Sequence, residues 1–152
     1  MTADTTLHAS CVVVDEAGIL IRGPSGSGKS SLARELVREG ERLGRFARLV
    51  CDDRVRIENR NGRLVAAAVP AIAGKIELRG MGLLTLPYEK SAIVGLVIDL
   101  TGAPPRLPEA AERMVTLRGV VLPRVEARSE PGLPQAILLR LDHPGDTLMT
   151  GS

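Results

Sequence analysis

Aromatic side chains are nearly missing from this chain of 152 residues, which has one Phe, one Tyr and no Trp. A platform for single-stranded nucleic acid stacks bases on several rings, and Phe46 and Tyr88 alone do not build one. Excess charge is missing too. The formal net charge is +2, and the basic residues are scattered among acidic ones rather than gathered into the stripe that marks nucleic-acid binding. No apolar run approaches the roughly 20 residues of a membrane span. The opening MTADTTLHAS has neither the basic segment nor the apolar segment of a secretory leader. A cytoplasmic protein without nucleic-acid or membrane partners is therefore expected. Cysteine is scarce: Cys11 stands beside Val-Val-Val and Cys51 follows Leu-Val. Both read as free thiols buried like small hydrophobes in a reducing compartment. His8 and Cys11 have no second ligand pair to complete a metal site.

What is present is ordinary for a globular protein, with 44% apolar and 25% charged residues. The length suits one domain, residues 1–152, with a core built from Val, Leu, Ile and Ala. HASCVVVD and GILIRG read as paired strands. KSSLARELVREGERL places Leu32, Leu36 and Val37 at helical spacing, with charges on the other face. ARLVCDD is a short strand ending in two acids. RVRIENRNGRLVAAAVP reads as a hairpin turning at NRNG. KIELRGMGLLTLP reads as extended, broken by Gly80 and Gly82. AIVGLVIDL, wholly apolar until Asp99, reads as a central strand. TGAPPRLPEA is a loop, VTLRGVVLPRVEAR more strand, and PGLPQAILLRLD a final helix with prolines near its start. The tail HPGDTLMTGS is expected to fray.

The chemistry begins at GPSGSGKS, residues 23–30. Gly23, Gly28, Lys29 and Ser30 fill the P-loop spacing G-x-x-x-x-G-K-[ST], with a strand before and a helix after. Glycines let backbone N–H groups converge on phosphate oxygens, and the helix N-terminus adds its positive end. Gly23, Pro24, Ser25, Gly26, Ser27 and Gly28 form the cradle. Lys29 reaches the outer phosphates, and the Ser30 hydroxyl is placed to ligate Mg²⁺. The loop leaves the reaction class open. A GTP switch needs an N-K-x-D base reader and a transporter ATPase an L-S-G-G-Q-like signature, and neither occurs. Guanylate kinase has a similar loop but uses tyrosines that this chain lacks. Asp52 and Asp53, closing an apolar run beyond the loop, suit metal ligation or proton acceptance from an attacking hydroxyl. The plainer alternative is a solvated pair capping a turn.

Three ordered segments carry a resemblance to the HPr kinase/phosphorylase family. RGPSGSGKSSLARELVREG resembles that family's P-loop and helix, ARLVCDDRVRIE its R-L-V-A-D-D segment, and IELRGMGLLTL its signature sequence. His8 matches a family histidine ahead of the loop. The resemblance implies an α/β, strand-rich P-loop kinase domain related to that of phosphoenolpyruvate carboxykinase. It implies an enzyme that uses ATP and Mg²⁺ to phosphorylate a serine of the phosphocarrier protein HPr. The same enzyme removes that phosphate with inorganic phosphate, giving pyrophosphate, and is typically a hexamer. By position, Lys29 holds phosphates, Ser30 and Glu77 attend the metal, and Asp53 sits beside a metal-bound water. Asp52 accepts the serine proton and donates it in reverse, while His8 tunes the aspartate. Arg79 and Arg106 match arginines of the family site, Arg106 in the role of steadying transferred charge.

The departures are specific. The family's separate N-terminal domain is expected to be absent, a resemblance to the short form known from alphaproteobacteria. The link ERLGRFARLV is longer than usual, and the basic P-G-R-N segment near the C-terminus is reduced to P-G. For several residues a plain reading stands beside the functional one: His8 as a satisfied strand-end histidine, Glu77 as a solvated strand residue beside Lys75 and Arg79, and Arg106 as a loop charge. Asp99 reads as the end of the central strand, capping a turn. A non-catalytic nucleotide-sensing P-loop module and a small-molecule kinase are the alternative functions.

Overall fold

A computed structural model describes residues 6–106 and 113–144. In chain order the elements are β1 (Thr6–Leu7), β2 (Ser10–Val14), β3 (Ala17–Arg22), α1 (Lys29–Arg42), β4 (Ala47–Cys51), β5 (Val55–Arg60) and β6 (Arg63–Ala68). Then follow β7 (Lys75–Leu78), β8 (Gly82–Thr85), β9 (Ser91–Leu100), β10 (Met114–Leu117), β11 (Val120–Ala127) and α2 (Leu133–Asp142). Nine strands form one sheet, ordered β1-β5-β6-β9-β3-β2-β4, with the β10–β11 hairpin joined to β9 through β11. As its sequence indicates, β9 is central. Its first residues pair antiparallel with β6, its last pair parallel with β11, and its other edge runs parallel to β3.

The apolar runs are continuous because the middle of the sheet is covered on both faces. Val12, Val14, Ile19, Ile21, Leu96 and Ile98 pack on one side against Leu32, Leu36 and Val37 of α1 and Ile137 and Leu138 of α2. Their alternating neighbours Cys11, Val13, Leu20, Val94 and Val97 pack on the other side with Val55, Ile57, Leu64, Val120 and Leu122. Helix α1 lies so close to β4 that a Cβ on Gly40 would come 2.7 Å from the Ala47 Cβ. The long link after α1 is pinned by Arg45, which ion-pairs with Asp15 in the β2–β3 turn (2.7 Å) and Asp142 at the end of α2 (2.8 Å).

One sequence expectation is refined and one corrected. KIELRGMGLLTLP is extended and broken at Gly80 and Gly82 as expected, and the break is a fold-back: β7 and β8 pair antiparallel as a separate two-stranded sheet. Gly80 and Gly82, at φ 79° and 99°, supply the left-handed turn. Asp99 does not cap a turn, because it lies within β9 and is held by two arginines described below. The expected frayed tail lies outside the described residues from 145 onward, as does the end of the TGAPPRLPEA loop from 107.

Candidate active site

Topology gathers the site. Strands β3, β9 and β11 run parallel, and β4 shares their direction because both β3 and β4 are antiparallel to β2. The segments that leave these four strands therefore emerge at one edge, where open α/β sheets bind ligands. They are residues 23–30, Asp52–Asp53, the loop carrying Arg106, and residues 128–132. The antiparallel β2 brings its N-terminal end to the same edge, and with it His8 and Ser10.

The glycine-rich loop turns at Gly26 (φ 80°) and Gly28 (φ 102°) and enters α1 at Lys29. Lys29 is 6% exposed, and its Nζ donates to the carbonyl oxygens of Gly23 (2.9 Å) and Pro24 (3.1 Å). The ammonium is thus folded over the loop. Ser27 Oγ is buried with no hydrogen-bond partner among the described residues. A buried hydroxyl without a partner is costly, and it marks a loop suited to receiving an oxygen-rich ligand.

Asp52 is 6% exposed. Its Oδ1 accepts from Ser10 Oγ (2.7 Å) and Ser30 Oγ (2.8 Å), and its Oδ2 accepts a longer bond from Ser30 Oγ (3.0 Å). Asp53 is exposed, adopts φ 68°, and pairs through Oδ1 with His8 Nε2 at 2.7 Å. Its backbone N–H donates to Ser10 Oγ at 3.1 Å. The structure therefore joins His8, Ser30, Asp52 and Asp53, residues picked from the sequence, and adds Ser10. Ser10 was missed because one serine in an apolar run carries no motif. Its spacing two residues from His8 was the available signal, since both then face the same side of an extended chain.

Glu77 stands exposed on β7, and no hydrogen bond or ion pair joins it to Lys75, Arg79, Ser30 or the aspartates. Arg79 is exposed in the β7–β8 turn, and Arg106 is exposed in the loop after β9 without a polar partner among the described residues. Among the described residues no three His, Cys, Asp or Glu side chains converge on a metal position. A hydroxyl beside carboxylates still fits Mg²⁺, which keeps several waters and takes only one or two protein carboxylates beside phosphate oxygens. Ser30 and Asp53 are oxygen donors of this kind, joined through Asp52 by its bond to Ser30 and its peptide link to Asp53.

Behind the loop, Asp99 accepts from Arg22 Nε (2.7 Å) and Nη2 (2.8 Å) and from Arg124 Nε. Burial pushes its carboxyl up, but the two guanidinium groups outweigh burial and hold it below the usual range. Arg22 is the last residue of β3, so this pairing anchors the strand that leads into the loop. Cys11 and Cys51 are buried and free, as expected, and burial pushes the Cys11 thiol up to about 12.

The HPr serine kinase C-terminal domain model matches residues 1–95. The chain belongs to this family. Among curated relatives, an HPr kinase/phosphorylase of Clostridium tetani is 36% identical over 107 residues, covering 66% of this chain and 33% of the relative. That of Limosilactobacillus reuteri is 32% identical over 147 residues, covering 88% of this chain and 44% of the relative. The chain thus spans less than half the length of these relatives. The solved structure of the Hpr(Ser) kinase/phosphatase from Coxiella burnetii superposes with a TM-score of 0.75 at 26% identity, over 92% of this chain and 99% of that one. The strand-rich α/β fold is thus that of an HPr serine kinase C-terminal domain. Among the described residues no helix is long and apolar enough to cross a membrane.

Proposed function

We propose that this protein is an ATP-dependent protein-serine kinase acting on HPr, and that it also removes the phosphate with inorganic phosphate, giving pyrophosphate. The observation that carries this reading is the Ser30–Asp52 pair. A buried carboxylate sits in hydrogen-bond contact with the hydroxyl of the phosphate loop itself. Membership of the HPr kinase family supports the choice of substrate.

The residues act as follows. The loop N–H groups and Lys29 take the outer phosphates of ATP, for which the ammonium turns from its own loop carbonyls toward the ligand. Ser30 and Asp53, with Glu77 from β7 by family resemblance, would hold Mg²⁺, which would supply neutralisation of phosphate charge. Asp52 takes the proton of the attacking serine hydroxyl. The serine Oγ–phosphorus bond forms as the bridging oxygen–phosphorus bond to ADP breaks. In reverse, protonated Asp52 returns its proton to the serine oxygen as a phosphate oxygen takes the phosphoryl group. His8 fixes Asp53, and Arg106, in the loop at the same edge, steadies transferred charge. The single domain over residues 1–152 rests on chain length and the cytoplasmic location on the sequence pattern and cysteine usage, and a hexameric assembly rests on family resemblance.

The test is incubation with ATP, Mg²⁺ and HPr from the same organism, with wild type and Asp52→Asn in parallel. Phosphoserine is expected on HPr, and loss of a general base lowers its rate by about 10²–10⁴-fold. Thermal stabilisation by ATP without phosphoserine would favour the nucleotide-sensing module. Absence of both would remove the nucleotide site.

A further inference from the structure

Ser10 is 0% exposed and is the one polar side chain between Ala9 and Val14. A buried hydroxyl is retained at a cost unless its hydrogen-bonding capacity is used. Here both of its roles are used at the acid pair: it donates to Asp52 Oδ1 at 2.7 Å and accepts from the Asp53 N–H at 3.1 Å. One oxygen therefore sets the side-chain torsions of one acid and the backbone of the next. The Asp53 backbone, at φ 68°, is in a region that side chains other than glycine occupy reluctantly.

The other donor to Asp52 differs in kind. Ser30 lies in the first turn of α1 at the phosphate loop, and it bonds both carboxylate oxygens. A hydroxyl there also faces incoming phosphate and cation, so its bond to Asp52 is exchangeable. Ser10 is fixed on β2, whose ladder to β3 begins at the Ser10–Ile21 pair. It has no duty toward a ligand. Once Ser30 turns away, Oδ1 stays tied to Ser10 and Oδ2 is left open.

We infer that Ser10 is a positioning residue that holds the Asp52 carboxylate through Oδ1, so that Oδ2 presents to the substrate hydroxyl. This rests on the reading of Asp52 as proton acceptor. The competing role is structural, a buried serine that only satisfies the Asp53 turn. Ser10→Ala removes a single oxygen and leaves the β2–β3 ladder intact, and the Tm of each variant reads whether the fold is kept.

The experiment is a double-mutant cycle of Ser10→Ala with Asp52→Asn, measuring kcat, KM for ATP and Tm, together with the Asp52 carboxyl resonance in the NMR spectrum of the nucleotide-free protein. Ser10→Ala is expected to lower kcat by roughly 10-fold, because small misplacements of a reacting group cost up to about 10²-fold, with KM for ATP unchanged. On the Asp52→Asn background the same change should leave kcat unaltered while the Tm loss recurs. The Asp52 resonance should shift in Ser10→Ala and the Asp99 resonance should not. An equal kcat loss on both backgrounds, or an unmoved Asp52 resonance, overturns the positioning role and leaves the assignment of Asp52 standing. A wild-type rate in Asp52→Asn alone overturns the base assignment, and this inference with it.

Discussion

Replacing Gly28 with Ala tests the geometry of the phosphate loop, because two separable costs meet at that residue. Gly28 has φ 102° and ψ 18° and is the N-cap of α1. A side chain in left-handed backbone costs roughly 1–2 kcal/mol. The new Cβ would also lie 2.7 Å from Ser129 Oγ and 3.3 Å from Ser129 Cβ. Ser129 is exposed, and rotating its hydroxyl aside costs only about 0.5–1 kcal/mol. The sum is near ~2 kcal/mol. For a chain of this size that lowers Tm by roughly 4–8 °C, at about 2–4 °C per kcal/mol. Ser129→Ala removes the nearer atom of the clash and none of the backbone strain. The double variant should therefore recover less than half of the loss in a thermal unfolding scan. The ATP-induced rise in Tm should vanish in both Gly28 variants, since a methyl then stands beside the N–H groups proposed to cradle phosphate. Full recovery in the double variant would show that the left-handed conformation carries no cost. Wild-type stability in Gly28→Ala alone would show that the loop does not adopt it.

Two further outcomes are expected. Lys29→Ala removes the donor to the Gly23 and Pro24 carbonyls. It should cost about 1 kcal/mol while abolishing stabilisation by ATP in a thermal-shift titration, and an unchanged nucleotide response would refute the role of Lys29. Asp99→Asn leaves Arg22 and Arg124 facing each other without their shared carboxylate, a loss of about 3 kcal/mol for a largely buried pairing. The Asp99 carboxyl is held below the usual range in the folded protein. Its stabilisation is therefore complete above the unfolded aspartate value of about 3.9 and is lost as pH falls through the lower folded value. Wild-type stability should fall faster below about pH 4 than that of Asp99→Asn, and parallel curves would contradict the pairing.

The strands and helices that hold this site were legible wherever local pattern and burial agreed. ILI before Gly23 and Leu32, Leu36 and Val37 after it fixed the strand–loop–helix unit, and the apolar run ending at Asp99 marked the central strand. Sequence pattern failed where the partner is distant. Asp99 looked like a turn cap because Arg22 and Arg124 lie 77 and 25 residues away, and only the parallel pairing of β9 with β3 and β11 brings them together. IELRGMGLLTL read as extended and broken at Gly80 and Gly82, and that break gave no sign of the direction in which the chain leaves it. The fold-back at Gly80–Gly82 depends on left-handed glycines that serve a straight segment equally well in a sequence string. Ser10 carries no motif in a one-dimensional reading beyond its spacing from His8, and its meaning comes from a hydroxyl 42 residues from the carboxylate it binds.

The antiparallel insertion of β2 between β3 and β4 explains why a histidine before the phosphate loop belongs with acids that follow it. A residue preceding an antiparallel strand reaches the same edge as residues that follow its parallel neighbours, so His8 and Ser10 meet Asp53 and Asp52 without any long connection. The two halves of the site then rest on different supports. In the proposed mechanism phosphate contact would depend on Gly28, Lys29 and the start of α1, whereas proton handling would depend on β4, which ends at the acid pair, and on β2, which clasps it through Ser10. Among the described residues Ser30 alone belongs to both, as a loop hydroxyl bonded to Asp52. Substitutions should divide accordingly. Gly28→Ala and Lys29→Ala act on the nucleotide response, and Asp52→Asn and Ser10→Ala act on the rate. Ser30→Ala, which removes the shared hydroxyl, should be the one change that lowers both.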